Sequence, residues 1–99
     1  MPNRRKLREC AVQILYGLDF YGELSADRAV NVYLQGFSEE FVDDPYLRRV
    51  VVGTWERREE IDGVIRQYST NWRLERMAVV DRNILRMAAF ELLHMREIP

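Results

Sequence analysis

The sequence predicts an all-α fold, a helical bundle, and three observations carry that reading. Apolar residues recur at three- and four-residue spacings through most of the 99 positions, which places them on one face of a helix. The only strand-like segment, Val50-Val51-Val52 with Thr54 and Trp55, has no second strand to pair with. Hydrophobic residues make up 47% of the chain and charged residues 31%, a mixture too apolar for disorder and too interrupted by charge for a membrane span.

The first helix is expected from about Arg4 to Tyr21, with Leu7, Ala11, Ile14, Leu15 and Leu18 on one face. The opposite face carries Arg5, Glu9, Val12, Tyr16 and Phe20. Those two rings cannot fill the same core as Leu7 and Leu15, so they face solvent, another part of the chain, or a ligand. Gly22 ends the pattern, and Ser25 is an N-cap whose hydroxyl accepts from the free amides of a second helix. That helix, about Ala26 to Gly36, buries Val30, Tyr33, Leu34 and Phe37. The acidic stretch from Glu39 to Asp44 interrupts it. Asp44 before Pro45 then reads as an N-cap carboxylate with proline at the first helical position, where its missing amide costs nothing. From there Leu47, Val51, Thr54, Ile61 and Ile65 continue one stripe for five turns, which favours a helix over a strand. Gly53 and Gly63 each lower helix propensity by about 1 kcal/mol relative to Ala, so a kink or break is expected near one of them. A short connecting element, Trp72 to Met77, leads to a last helix from about Val80 to Met95. It is apolar almost all round, with Val80, Ile84, Met87, Ala88, Leu92 and Met95 on one side and Leu85, Ala89, Phe90 and Leu93 on others. Such a helix belongs in the centre of a bundle. Its outer faces are therefore expected to be covered by another subunit, giving a homodimer, or by further chain.

Most catalytic chemistries find no support. The five glycines stand singly, so neither a phosphate-cradling loop nor a dinucleotide fingerprint is present. The acid pairs Glu39-Glu40, Asp43-Asp44 and Glu59-Glu60 point about 100° apart on a helix and do not share a substrate. Cys10, without a second cysteine, forms no internal disulfide, and His94 alone does not complete a metal site. Cys10 reads as a small buried hydrophobe, and His94 as a residue favouring the carbonyl end of the last helix. No secretory signal follows the amino terminus, and a reducing cytoplasmic compartment fits best. The expectation is a non-enzymatic protein with no cofactor and no metal.

Charge is what this sequence concentrates. Net charge is −1, yet Arg4, Arg5, Lys6 and Arg8 occupy the first eight positions with no acid among them. The other 91 residues hold 11 basic and 16 acidic groups, a net −5. A basic end on an acidic body directs a polyanion to one place. Cations there neutralise phosphates and release counterions, and exposed rings such as Tyr16 and Phe20 can stack unpaired bases. Single-stranded RNA is the ligand class this combination suggests.

The order of residues adds a resemblance. Arg4-Arg5-Lys6-Leu7-Arg8-Glu9-Cys10-Ala11-Val12-Gln13-Ile14-Leu15-Tyr16 resembles the start of the NusB family of bacterial transcription antitermination factors. Ile61-Asp62-Gly63-Val64-Ile65, Trp72 to Met77, Val80-Asp81-Arg82 and the run Ile84 to Leu93, ending in Ile98-Pro99, are similar to later signatures of the same family. The resemblance implies two small helical subdomains, 1–68 and a partial 69–99, and two further helices after the final proline that are not in this sequence. It also implies binding of the boxA element of ribosomal RNA transcripts together with ribosomal protein NusE, in a complex with NusA, NusG and RNA polymerase. By matching position, Arg4, Arg5, Lys6 and Arg8 correspond to the family's arginine-rich motif and Tyr16 to a ring beside the RNA. Asp81 corresponds to a position facing NusE, with Glu75, Arg76 and Arg82 as further candidates. Asp81 would also serve as an N-cap.

Overall fold

The stripe Leu7, Ala11, Ile14, Leu15 and Leu18 winds into α1, Arg4–Tyr21, and all five residues are buried. A computed structural model of the chain describes residues 3–21, 25–36, 44–69 and 73–95. The remaining elements are α2 (Ala26–Gln35), α3 (Pro45–Glu56), α4 (Arg58–Tyr68), a 3₁₀ turn (Leu74–Arg76) and α5 (Val79–His94). Among the described residues there is no strand, and no helix is long and apolar enough to cross a membrane.

Two helix starts follow their side-chain signals. Ser25 accepts from the Arg28 amide at 3.2 Å, and the Asp44 carboxylate accepts from the Tyr46 amide at 2.8 Å with Pro45 at the first helical position. Val30 is fully buried, whereas Tyr33 and Leu34 only edge the core. Phe37 and Gly22 lie outside the described residues.

The long stripe after Pro45 does not form one helix, and neither glycine breaks it. The break falls at Arg57, whose φ of −104° and ψ of 15° leave the helical region. Its amide still returns to the Gly53 carbonyl at 3.1 Å. Arg58 closes the corner, donating to the Trp55 carbonyl at 2.7 Å while stacking 4.0 Å above the Trp55 ring. Gly53 serves packing instead: a Cβ there would stand 2.1 Å from Cζ of Phe90, so α3 meets the α5 ring through bare backbone.

α1 packs on α3 and α5, α2 on α3, and α4 on α5. One core results, joining Leu15, Val30, Leu47, Val51 and Ile61 to Met87, Phe90 and Met95. The faces of α5 differ from the sequence expectation. Met87 and Met95 turn inward, but Val80, Ile84, Ala88 and Leu92, spaced four apart, form a solvent-facing row, with Leu92 76% exposed. Two polar residues, Asn83 and Arg86, take inward positions in their place.

Their burial is compensated. Arg86 forks onto Asp62 of α4 with two 2.7 Å hydrogen bonds and reaches Asp19 of α1 at 3.0 Å. Asn83 and Arg82 also donate to Asp19 Oδ2, at 3.0 and 3.1 Å. Burial alone would pull the Arg86 pKa down; the hydrogen bond to Asp62, which is the larger effect, raises it.

Candidate nucleic-acid interface

Asn3 starts α1, its carboxamide oxygen accepting from the Lys6 amide at 2.9 Å. The first turn of a helix normally favours acids, because the free amides there carry partial positive charge. Here that turn contains no acid and three cations, Arg4, Arg5 and Lys6, and Arg8 follows one turn on. Helix end and side chains therefore add to one positive field.

The four cations are held differently. Arg5 and Lys6 are exposed and lie only loosely near Glu9, at 3.8 and 3.9 Å. Such contacts contribute little and yield readily to a phosphate. Arg4 lays its guanidinium 4.5 Å above the Tyr46 ring of α3. Arg8 turns its Nε toward both carboxylate oxygens of Glu91 in α5, at 3.2 and 3.3 Å. The Tyr46 hydroxyl donates to the same carboxylate. Burial, then the bond to Glu91, pushes the Tyr46 phenol up to about 12.

Farther along α1, Tyr16 and Phe20 are 40% and 60% exposed, with ring centroids 4.8 Å apart. Tyr16 also borders a shallow groove between α1 and α5, lined by Glu9, Val12, Gln13, Val80 and Ile84 and enclosing about 560 Å³. The structure thus brings Tyr16 to the same helix side as Arg5 and Glu9, with flat apolar surface beyond the cations.

The partner-facing candidates separate into two kinds. Asp81 is exposed in the first turn of α5, but the helix is capped at Ala78, so Asp81 is not the N-cap. Arg76 is exposed in the 3₁₀ turn. Glu75 pairs with Arg66 at 2.7 Å, and its pKa is lowered by its own backbone amide and by that arginine. Arg82 is mostly covered and bound to Asp19. Tyr46 and Glu91 are the residues that sequence reasoning missed. They reach the arm from 38 to 83 positions away, and no local pattern announces contacts at that separation.

Comparison with known proteins places this arrangement in context. A family model described as the NusB family matches residues 5–99. Transcription antitermination protein NusB of Symbiobacterium thermophilum is 43% identical over 105 residues, covering 98% of this chain and 68% of its own length. Its namesake in Bacillus mycoides is 45% identical over 96 residues, covering 97% and 72%. That of Syntrophus aciditrophicus is 38% identical over 99 residues, covering the whole of this chain and 61% of the relative.

Proposed function

Because the chain belongs to the NusB family of transcription antitermination proteins, we propose that its basic α1 arm binds boxA-type single-stranded RNA of ribosomal RNA transcripts. The observation that carries this reading is the first turn of α1, with three cations where a helix normally places acids, next to exposed Tyr16. Arg4, Arg5, Lys6 and Arg8 form the basic surface that the RNA backbone meets, and Tyr16 stacks a base. Asp81, with Arg76 and the more engaged Glu75 and Arg82, forms the side that meets ribosomal protein NusE. The protein is regulatory and not enzymatic, works in the cytoplasm, and joins NusA, NusG and RNA polymerase in the larger complex. Holding RNA and NusE at once raises the effective concentration of each for the other.

Titration of a boxA-like RNA at several salt concentrations tests the arm. Each phosphate neutralised on a single strand contributes about −0.7 to the log–log slope, so the ceiling for four cations is roughly −3. Replacing Arg4, Arg5, Lys6 and Arg8 together by Ala is expected to remove the salt-dependent binding; unchanged affinity would overturn the assignment. For the second surface, Asp81→Lys is expected to weaken NusE binding while leaving the RNA titration unaltered.

The row Val80, Ile84, Ala88 and Leu92 favours a second reading, in which α5 is an assembly face that pairs with another copy of the chain. Sedimentation decides it: a dimer that dissociates in Leu92→Lys supports the reading, and a wild-type monomer dismisses it.

A further inference from the structure

Arg8 is the arm's exception. Its guanidinium meets a carboxylate that is only 14% exposed, while 37% of the Arg8 side chain remains in solvent. Glu91 is not a flexible surface acid that a phosphate can push aside. It follows the buried Phe90 on a helix packed against α1 and α3, and the Tyr46 hydroxyl holds its Oε1. Arg4 rests on the ring of that same tyrosine, so four residues of α1, α3 and α5 form one connected unit. Glu9 makes no comparable unit, since it is exposed and lies 3.8 to 3.9 Å from Arg5 and Lys6. Burial alone would lower the Arg8 pKa; contact with Glu91 and Tyr46 more than offsets this and raises it.

A phosphate approaching Arg8 therefore meets a cation whose charge is already balanced at 3.2 Å. Counterion release follows net neutralisation, and a paired arginine adds little to it. Resting on the RNA reading above, we propose that Glu91 sets the effective charge of the arm. It is an internal carboxylate that withholds Arg8 from phosphates, so the arm neutralises three phosphates and not four. Every polyanion then gains less from the arm, and contacts other than charge, such as stacking on Tyr16, make up a larger share of the binding.

The test is fluorescence anisotropy of a boxA-like RNA and of a uridine homopolymer of equal length, at several salt concentrations. Wild type is compared with Glu91→Gln, Arg8→Ala, their combination, and Lys6→Ala. Glu91→Gln keeps the side-chain shape while removing its charge. It is expected to bind both RNAs several-fold more tightly at low salt and to steepen the slope by about 0.7. Added to Glu91→Gln, Arg8→Ala is expected to return the slope to the wild-type value. A purely structural Glu91 would change the melting temperature without moving the slope. The proposal is overturned if Glu91→Gln leaves the slope in place, or if the double variant keeps the steeper slope of Glu91→Gln. Should Glu91→Gln melt below the assay temperature, the titrations of all variants are run below its melting temperature. Lys6→Ala separates the two levels. If it flattens the slope while the Glu91 prediction fails, the RNA reading stands and this proposal falls. If wild type binds neither RNA, both fall.

Discussion

Asp62 and Asp19 hold a guanidinium, Arg86, that is 8% exposed, and the cost of disturbing such a unit is asymmetric. A buried pair contributes modestly to stability, but removing one partner strands the other charge in a poorly solvating interior. Asp62→Ala is accordingly expected to lower stability by about 3–5 kcal/mol in urea unfolding. The arm-side tyrosine gives a pH prediction. Tyr46 stays neutral in the folded chain until its phenol titrates at about 12, whereas in the unfolded chain it titrates near 10. A raised pKa means the folded state holds the proton more tightly. The stability linked to that proton is intact below about pH 10 and is lost as pH rises through about 12. Unfolding at about pH 11 should therefore increase tyrosinate absorbance, and by less in Tyr46→Phe. None of these pairings was legible in the sequence. Asp19, Asp62 and Arg86 carry no local signal of their pairing, because burial of a charge is decided by elements that meet only after folding.

Helices themselves were legible, since capping and periodicity are local. Ser25, Asp44 and Pro45 marked real starts, and the α1 stripe was buried as its spacing required. The faces of α5 were not legible, because composition cannot show which of several apolar rows turns inward when Asn83 and Arg86 also do. The glycines separate local from tertiary effects in the same way. A Cβ at Gly17 or Gly63 would meet nothing within 4 Å, so Gly17→Ala and Gly63→Ala are each expected to stabilise by about 0.4–1 kcal/mol. Gly53→Ala should instead destabilise, because the added methyl overlaps the Phe90 ring. Thermal melts of the three variants check the opposite signs.

The principal extents are 43 × 31 × 18 Å. Helices pack with axes 8–10 Å apart, so the shortest extent admits two layers and α5 cannot be enclosed on all sides. This is why a helix apolar almost all round keeps one row in solvent. Its inner row shares a core with α1 and α3, so the parts before and after residue 68 are expected to unfold together. Trp55 fluorescence and far-ultraviolet circular dichroism should give coincident urea transitions. The arm belongs to this shared core as well. Arg8 finds Glu91 only because α5 lies at a set distance from α3 and α1, and that distance is gauged where Phe90 touches the bare backbone of Gly53. One absent methyl group, far outside the basic segment, thereby calibrates how much positive charge the molecule offers a nucleic acid.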